Sequence, residues 1–507
     1  MSPLAMLMDG FGHALAPMNL LMAALGVLIG TLVGILPGLG PTSSIAILLP
    51  VTAALEPTQA IIMLAGIYYG AMYGGSTTAI LLNIPGEVSS VPTCLDGYPL
   101  AQQGRGGPAL GIAAIASFVA GVLGVIGLVF FAPALADRAL RFGPPEMLAM
   151  MLFAFTLLFG LSGGSFIKAL MMGVAGVGLS LIGLAPVSGT FRLTFGSPKL
   201  AGGLDMVSIL IGLFAIAEVL KGMMEKKTAI AGERIGSVFP GKRDLIQSAP
   251  AMATGSVVGF LLGLLPGCSA AITAFLSYDF AKKLSRKRKH LFGKGAIEGV
   301  AAPEAANNAT SSAGFIPLFA LGIPASPPLA VLLAGLMIYG LAPGPLLFEQ
   351  KGSFVWTVIA SMFIGNVLLL ILNLPLVGMW ARLTRIPFGI LAPVILLLSL
   401  IGAYTVRNNL FDVQVACLFG IVGYLLQKYH WPVMPFILGF ILGPLLEMSF
   451  MQTMTIAAGD YVRLFQRPIF FAFLALTVIM LALSVWMVRR TKRRVMEEVG
   501  KPESLVG

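Results

Sequence analysis

Apolar stretches, almost free of charged side chains, recur along the whole chain of 507 residues. Many of them are about 20 residues long, the length that an α-helix needs to cross the hydrocarbon core of a bilayer. Only 10% of the residues are charged, whereas soluble globular proteins have about 25%. We therefore predict an all-α polytopic membrane protein and exclude soluble enzymes and nucleic-acid-binding proteins.

The positive charge of the chain is concentrated in a few places. The net charge is +11, but the first basic residue is Arg105, and 18 of the 32 Lys and Arg lie within 221–243, 282–294 and 489–494. Basic clusters beside apolar spans lie on the cytoplasmic side of a membrane. The excess charge therefore indicates the orientation of the chain, with a cytoplasmic C-terminus, and does not indicate a nucleic-acid partner.

Four short motifs occur twice in the same order, about 230 to 245 residues apart. The pairs are Gly34-Ile-Leu-Pro-Gly38 with Gly263-Leu-Leu-Pro-Gly267, Asn83-Ile-Pro-Gly86 with Gly322-Ile-Pro-Ala325, Ile115-Ala-Ser117 with Ile359-Ala-Ser361, and Arg141-Phe-Gly-Pro144 with Arg385-Ile-Pro-Phe-Gly389. A series of matches at one spacing is typical of an internal repeat. We predict a first repeat over 1–220, a basic linker over 221–247, a second repeat over 248–446, a connector with one extra helix over 447–488, and a basic cytoplasmic tail over 489–507.

Equivalent loops of the two repeats differ in charge. The basic loop 282–294 follows Pro266-Gly267, whereas its counterpart over 49–60 has no Lys or Arg and contains Glu56. Loops of opposite charge character lie on opposite sides of a membrane, so we predict that the repeats have inverted topology. This arrangement places the N-terminus in the periplasm.

Each repeat is expected to contain a re-entrant hairpin. Only 14 residues separate Gly267 from Lys282, fewer than the about 20 that a full crossing needs. Because both flanks are basic, the chain is predicted to enter and leave on the cytoplasmic side, with its tip at Pro266-Gly267. By inversion, Pro37-Gly38 forms the tip of a hairpin that opens to the outer face.

The two hairpin tips carry residues that we expect to bind a substrate. Glycines allow close approach of the backbone, hydroxyls offer hydrogen bonds, and the start of the returning helix favours a carboxylate or phosphate. The candidates are Gly38, Gly40, Thr42, Ser43 and Ser44 in the first tip, and Gly267 and Ser269 in the second. The alternative for either tip is a Gly/Pro kink whose hydroxyls bond the preceding turn.

Two further polar segments interrupt the apolar stretches in corresponding places of the repeats. Unwound carbonyls beside Asn, Ser and Thr oxygens match the ligands of a monovalent cation. We expect substrate contacts from Asn83, Gly86 and Ser326, and an ion site formed by Ser76, Thr77, Asn307, Asn308, Thr310, Ser311 and Gly322. The alternative is that these small and hydroxylated residues pack helices together.

Glu87 and Glu304 are the acidic residues nearest to these segments. Acids in this setting hold ions or carry protons, or else cap helix starts at the membrane interface, and the sequence leaves both roles open. The His and Cys residues lack metal-ligand spacing. No nucleophile–base pair or phosphate-binding loop occurs, so we expect no enzyme activity and no cofactor.

Several longer motifs resemble a known family. They are Gly34-ILPGLGPTSS, Ile67-YYGAMYGGSTTAILLNIPGE, Cys94-LDGYPLA, Pro303-EAANNATSS and Leu321-GIPAS. In this order they are similar to the large membrane subunit of tripartite tricarboxylate transporters, the TctA family. The resemblance implies a bacterial inner-membrane transporter that works with a small TctB-like membrane subunit and a periplasmic TctC-like solute-binding protein. It also implies carboxylate substrates, citrate-like tricarboxylates among them, and an elevator-type mechanism.

We therefore expect a secondary active transporter that imports small organic carboxylates, coupled to Na⁺ or H⁺, within a binding-protein-dependent tripartite system. A bound cation offsets the negative charge of the substrate, so each should strengthen the binding of the other. Two alternatives remain. One is an uncoupled anion channel with a continuous polar pore, and the other is a scaffold subunit that anchors its partners.

Overall fold

Prolines mark where many of the helices start. The first N–H groups of a helix have no intrahelical acceptor, so proline is tolerated there and its fixed φ favours the helix. Helices begin in this way at Pro17, Pro41, Pro57, Pro144 and Pro327, among others.

The structure is a computed structural model that describes residues 2–36, 39–161, 165–185, 188–224, 237–285, 288–376, 378–380 and 388–499. Several predicted features fall outside these ranges. They are the tip residues Pro37 and Gly38, most of the basic linker, the beginning of the motif that starts at Arg385, and the end of the C-terminal tail.

The described residues form a largely helical chain. The α-helices of the first half are Pro3–Ala14, Pro17–Ile35, Pro41–Thr52, Pro57–Leu82, Val91–Leu100, Gly106–Ala139, Pro144–Leu161, Phe166–Ser180, Met206–Leu210 and Ala217–Met224. Those of the second half are Lys242–Gly263, Ala270–Leu284, Glu298–Ala313, Phe315–Leu321, Pro327–Ile338, Pro345–Gln350, Gly352–Asn373, Phe388–Arg407, Leu410–Lys428, Val433–Ala457, Val462–Phe465 and Pro468–Val499. Short 3-10 helices cover Val88–Ser90, Pro198–Leu200 and Lys289–Leu291, and π-helices cover Ala101–Arg105 and Ile211–Ile216.

Among the described residues, 8 helical segments are long and apolar enough to cross a membrane. They are Pro17–Ile35, Val88–Ala139, Met206–Met224, Lys242–Gly263, Gly352–Asn373, Gly389–Arg407, Leu410–Lys428 and Val433–Ala457. Shorter apolar helices, such as Pro41–Thr52 and Pro327–Ile338, lie between them. The chain is therefore an all-α polytopic membrane protein, as the sequence predicts.

A small antiparallel hairpin is the only β-structure in the part of the chain that the structure describes. Gly183 pairs with Arg192 and Leu184 with Phe191. The backbone of Gly183 has a φ of +111°, which glycine adopts without steric penalty. This hairpin has only two residues in each strand, so it is a minor departure from the all-α prediction.

Each half contains a helix pair that packs through three glycines spaced four residues apart. Gly26, Gly30 and Gly34 lie against Met63, Ile67 and Ala71, while Gly255, Gly259 and Gly263 lie against Ala302, Ala306 and Thr310. A Cβ atom at Gly30 would lie 2.9 Å from Ile67 Cα, and one at Gly259 would lie 2.8 Å from Ala306 Cα. Glycine lets the backbones approach this closely. The two halves thus share one mode of helix packing.

Each half also contains a helix break of similar geometry after its glycine-packed pair. Asn83 and Gly322 end their helices in the left-handed conformation, with φ of 55° and 72°. Glu87 and Ser326, four residues later, are extended, with φ/ψ of −145°/168° and −147°/163°. The aligned sequences Asn83–Glu87 and Gly322–Ser326 therefore adopt similar backbone conformations at these positions.

The helices that follow the two predicted hairpin tips are short. Pro41–Thr52 has 12 residues and Ala270–Leu284 has 15. At about 1.5 Å per residue they are about 18 and 22 Å long, less than the about 30 Å of a bilayer core. Their lengths suit the returning arm of a re-entrant hairpin.

Several helices extend beyond the predicted segment boundaries. Ala217–Met224 and Lys242–Gly263 reach into the predicted linker 221–247, and Val433–Ala457 and Pro468–Val499 pass residues 446 and 488. Lys and Arg are good helix formers, so basic residues at the end of an apolar span do not by themselves end the helix.

Asp96 connects the two halves on the helix Val91–Leu100. Its side chain is fully buried. One carboxylate oxygen accepts hydrogen bonds from the backbone N–H groups of Gly293, Gly295 and Ala296, each at 2.8 Å, and the other accepts from the Tyr278 hydroxyl at 2.8 Å. Such charge-assisted bonds are among the stronger hydrogen bonds in proteins. They fix the loop before Glu298–Ala313 against the first half.

Candidate functional site

A cavity of about 690 Å³ lies where the two hairpin tips and the two helix breaks meet. A cavity of this size accommodates a small organic molecule. Its lining residues are Gly40, Pro41, Thr42, Ser43, Tyr68, Met72, Ile84, Pro85, Gly86, Glu87, Val88, Ser89, Val91, Phe214, Glu218, Lys221, Ser269, Ala270, Ala271, Ser326, Pro327, Pro328 and Gln427.

Four helical segments begin at this cavity. The helices Pro41–Thr52, Ala270–Leu284 and Pro327–Ile338 are preceded by Gly40, Ser269 and Ser326, all of which line it. The fourth segment starts at Val88, after Glu87, and continues through Leu100. A helix start carries unpaired N–H groups and a partial positive charge. Pro41, Pro327 and Pro328 have no N–H group, and Glu87 caps the fourth start. The feature that favours an anion is therefore chiefly the positive end of several helix dipoles at one cavity.

The first hairpin tip contributes most of its predicted residues to the cavity. Gly40, Thr42 and Ser43 line it, and the Ser43 hydroxyl donates to the carbonyl of Phe214 at 3.2 Å. The Ser44 hydroxyl instead donates to the carbonyl of Gly40 at 3.1 Å. Ser44 therefore bonds the preceding turn, as in the alternative reading of this tip, and is absent from the lining.

The two predicted residues of the second tip have different roles, since Ser269 lines the cavity and Gly267 shapes the backbone. Gly267 has a φ of +86°, and its N–H donates to the carbonyl of Ala325 at 3.1 Å. A Cβ atom at this position would lie 2.9 Å from Leu158 Cα. Gly267 thus holds the tip against the neighbouring helix break.

The helix breaks supply two of their three predicted substrate residues. Gly86 and Ser326 line the cavity, and the Ser326 hydroxyl is hydrogen-bonded to the Tyr68 hydroxyl at 3.2 Å. Asn83 is exposed and ends the helix Pro57–Leu82. Its position explains the change of chain direction and does not bring its side chain to the cavity lining.

Glu87 links the cavity to the buried interior. Its carboxylate takes part in a capping box with Ser90 at the start of the short helix Val88–Ser90, which is one of the roles that the sequence leaves open. The same carboxylate accepts a hydrogen bond from Asn307 Nδ2 at 3.2 Å. Among the described residues, none hydrogen-bonds to the buried Asn307 Oδ1. The side-chain oxygen of Asn307 is thus available to a ligand.

Glu304 is fully buried in the helix Glu298–Ala313, so it does not cap a helix start. Three hydroxyls of the first half donate to its carboxylate: Ser76 and Thr93 at 2.6 Å each, and Ser117 at 3.4 Å. We call these four residues the Glu304 cluster. Asn307 lies one helical turn after Glu304, so the Glu304 cluster is connected to Glu87 and the cavity.

A small internal space adjoins the Glu304 cluster. It measures about 10 Å³, about the room that one water molecule needs. Ser76, Thr77 and Ser117 line it, together with Tyr73 and Asn373. Hydroxyl and amide groups around such a space are suitable ligands for a small monovalent cation.

The remaining predicted ion residues make local contacts. Asn308 donates to the carbonyl of Glu304 at 3.1 Å, and Ser311 donates to that of Asn308 at 2.9 Å. Thr310 bonds Ala306, Gly259 and Thr273. Gly322 is the left-handed residue that ends Phe315–Leu321. Helix packing thus accounts for these contacts.

In the two predicted polar segments, carbonyl groups outside regular helices occur only at the two helix breaks. Ser76 and Thr77 lie inside Pro57–Leu82, and the four predicted polar residues of the second repeat, Asn307, Asn308, Thr310 and Ser311, lie inside Glu298–Ala313. Their carbonyls belong to regular helices, whose hydrogen bonds occupy them. Only side chains are therefore available at these positions.

The sequence does not identify four residues that the structure brings to these sites. Tyr68 and Lys221 line the cavity, and Thr93 and Ser117 bind Glu304. Thr93 directly precedes the Cys94-LDGYPLA motif, which is a signal that could have suggested it. Within the described residues, no group of three or more His, Cys, Asp and Glu could hold a metal ion.

Comparisons with known proteins agree in their assignment. The family model described as "Tripartite tricarboxylate transporter TctA family" matches residues 20–438. An Agrobacterium vitis protein, "Uncharacterized 52.8 kDa protein in TAR-I ttuC' 3'region", is 42% identical over 485 residues, which are 96% of each chain. A second, "Uncharacterized protein in TAR-II ttuC' 3'region", is 43% identical over 235 residues, 46% of this chain and 97% of that protein. No solved structure matches the chain. The chain belongs to the tripartite tricarboxylate transporter TctA family, and it is thus a component of a membrane transporter.

Proposed function

We propose that this chain is a secondary active transporter that imports small organic carboxylates, citrate-like tricarboxylates among them. The observation that carries the proposal is the convergence of four helix starts on one cavity of about 690 Å³. Helix starts favour carboxylates because the helix dipole is positive there. The start of Ala270–Leu284, which has no proline, also offers backbone N–H groups without an intrahelical acceptor. The hydroxyls of Thr42, Ser269 and Ser326 add further hydrogen-bonding groups to the same wall.

Coupling to Na⁺ or H⁺ is assigned in this proposal to the Glu304 cluster. A buried carboxylate is costly in a membrane unless a partner or a proton stabilises it. The hydroxyls of Ser76, Thr93 and Ser117 donate to Glu304 without a cation and can turn their lone pairs toward Na⁺ when it binds. Alternatively, Glu304 itself takes a proton. Either event reduces the negative charge near the substrate.

A continuous chain of groups connects the two proposed sites. The cavity residue Glu87 contacts Asn307, which lies one turn from Glu304 on the same helix. Na⁺ or H⁺ at Glu304 cancels the negative charge of Glu304 and so reduces the repulsion between Glu304 and a bound carboxylate. By linkage, the substrate then strengthens cation binding by the same factor.

For the mechanism we propose two inverted-topology repeats and elevator-type movement. The common glycine packing and the similar helix breaks support the repeats, and the opposite charge of 49–60 and 282–294 supports their inversion. Phe214 and Gln427, from the helices Met206–Met224 and Leu410–Lys428, also line the cavity. These helices are suitable as the fixed part past which the hairpins move.

The family also supports an assembly. We propose that the chain is the inner-membrane permease of a binding-protein-dependent system, with a small TctB-like membrane subunit and a periplasmic TctC-like solute-binding protein as partners. Its N-terminus is assigned to the periplasm, and its C-terminus, which follows the basic residues 489–494, to the cytoplasm.

Uptake into vesicles tests the transport proposal. The complete three-component system is reconstituted and supplied with labelled mono-, di- and tricarboxylates, with an inward Na⁺ gradient, an inward H⁺ gradient or neither. We expect at least one carboxylate to accumulate above its external concentration, and only with one of the gradients. Vesicles without this chain are the control. Flux that only equilibrates, with or without a gradient, would identify an uncoupled channel, and no flux for any carboxylate would favour a scaffold.

Cysteine labelling tests the inverted topology. Glu56 and Lys289 are both exposed and lie in the equivalent loops. Each is replaced by Cys in a variant whose exposed Cys417 is replaced by Ser. In right-side-out vesicles, an impermeant maleimide should label Glu56→Cys and leave Lys289→Cys unlabelled until the membrane is opened. Labelling of both from the same side contradicts the inversion.

A further inference from the structure

Lys221 lies on the cavity wall, although its position in the sequence marks it as part of a basic cluster at the end of a span. Phe214, Glu218 and Lys221 all line the cavity. Their spacing of four and three residues places them on one face of the helical segment Met206–Met224. This segment therefore presents one side of its surface, ending in an ammonium group, to the proposed substrate.

The first hairpin tip fixes the distance between Lys221 and the helix starts. The Ser43 hydroxyl donates to the Phe214 carbonyl at 3.2 Å, so the tip lies beside Phe214. Lys221 follows seven residues later, about 10 Å along the helix. The flexible lysine side chain covers part of this separation. The remaining space suits a molecule with one carboxylate at the tip and another nearer Lys221.

The Lys221 ammonium makes no ion pair with the part of the chain that the structure describes. Among the described residues, the ion pairs involve seven other basic side chains and none involves Lys221. Lys221 is partly buried, and it is the only lysine or arginine among the lining residues of the described cavity. Glu218 lies three residues before Lys221 on the same wall, but no ion pair joins the two side chains within the described residues. A partly buried ammonium group in this position is favourably placed to receive a carboxylate from a ligand.

We propose that Lys221 is a specificity-determining residue that pairs with a second carboxylate of the substrate. The site then prefers di- and tricarboxylates to monocarboxylates, because a molecule with one carboxylate engages only the helix starts. This inference rests on the proposed carboxylate transport. It differs from a purely topological role for Lys221, in which the charge marks the cytoplasmic side and does not affect ligand choice.

Binding of citrate, succinate and propionate to the purified full chain in detergent tests the proposal. The measured quantity is the preference for citrate over propionate, obtained by competition in the wild type and in Lys221→Gln, Lys221→Arg and Lys242→Gln. Lys242 is exposed and is not a lining residue, so it is a matched control. A charge-assisted hydrogen bond contributes enough for Lys221→Gln to reduce the preference about 10- to 100-fold. The Lys221→Arg and Lys242→Gln variants should keep most of it.

The outcomes separate this inference from the function on which it rests. If the wild type binds none of the three carboxylates, the proposed function fails and this inference fails with it. If the wild type prefers citrate and Lys221→Gln keeps that preference, or weakens all three ligands equally, only the role of Lys221 is overturned. Recovery of the preference in Lys221→Arg shows that the effect comes from the charge and not from misfolding.

Discussion

Replacing Glu304 by Gln should leave a folded protein that no longer couples carboxylate uptake to an ion gradient. Glutamine has nearly the same shape as glutamate. Ser76 and Thr93 donate to different oxygens of Glu304 at 2.6 Å, so the glutamine oxygen can accept from one of these hydroxyls while the other turns to accept from the amide NH2 group. Glutamine cannot take up a proton, and its neutral oxygen attracts Na⁺ much less than a carboxylate does. We therefore expect gradient-driven uptake to fall at least about tenfold, equivalent to about 1.4 kcal/mol or more, while the melting temperature changes little.

Glu298→Gln is the matched control for this experiment. Glu298 lies on the same helix and is also buried, but it pairs with Arg288 at 3.1 Å and does not line the cavity. Its replacement removes one buried charge away from the Glu304 cluster, so uptake should remain coupled. Uptake by Glu304→Gln that equals the wild type and still requires the gradient would exclude Glu304 from the coupling mechanism.

The two carboxylates of this region lie in neighbouring hydrogen-bond networks, which are linked by the helix that carries Asn307 and Glu304. Glu87 faces the cavity, Asn307 joins it to the helix of Glu304, and hydroxyls from three helices of the first half surround Glu304. Such networks act as units, since the loss of one partner leaves other buried polar groups unsatisfied. A change at the cation site can therefore alter the substrate site without a large movement of the backbone.

The sequence predicts the cavity better than the cation site. Gly40, Thr42, Ser43, Gly86, Ser269 and Ser326 are predicted substrate residues, and all line one cavity. They could be identified because Gly and Pro interrupt apolar helices at local positions that recur in both halves of the chain. A helix that starts after such an interruption also points its N–H groups at it, so one local pattern predicts both the break and its polarity.

The Glu304 cluster shows why long-range contacts are harder to predict. Ser76 and Glu304 are 228 positions apart in the chain and meet at 2.6 Å. A hydroxyl inside a helix can bond its own preceding turn, as Ser311 does, or reach another helix, as Ser76 does, and Thr310 does both. Both residue types look alike in the sequence, because the choice depends on which helix packs beside them.

Lys221 and Tyr68 were missed for a different reason. Lys221 belongs to a basic cluster whose composition suffices to explain it as a topology signal. Tyr68 lies in a helix that is buried along most of its length, so its hydroxyl has no distinctive sequence context. Each becomes a candidate only when the packing of Met206–Met224 and Pro57–Leu82 around the cavity is known.

Filling the cavity should abolish carboxylate binding. Gly40 lines the cavity, its φ of −84° suits any residue, and a Cβ atom there meets no other atom within 4 Å. The Gly40→Trp substitution therefore needs no rearrangement of the backbone. The new side chain occupies the cavity space beside the start of Pro41–Thr52. Gly12→Trp is the matched control, because Gly12 is exposed on Pro3–Ala14 and likewise has no atom within 4 Å of a Cβ position.

The most direct test of the central claim is equilibrium binding of citrate to the purified chain, measured with and without Na⁺ and across pH, in the wild type, Gly40→Trp and Gly12→Trp. The account predicts cation-dependent binding by the wild type and by Gly12→Trp, and affinity at least about 100-fold weaker in Gly40→Trp, a loss of about 2.8 kcal/mol. Citrate binding by a folded Gly40→Trp protein at wild-type affinity would contradict the assignment of the carboxylate to this cavity.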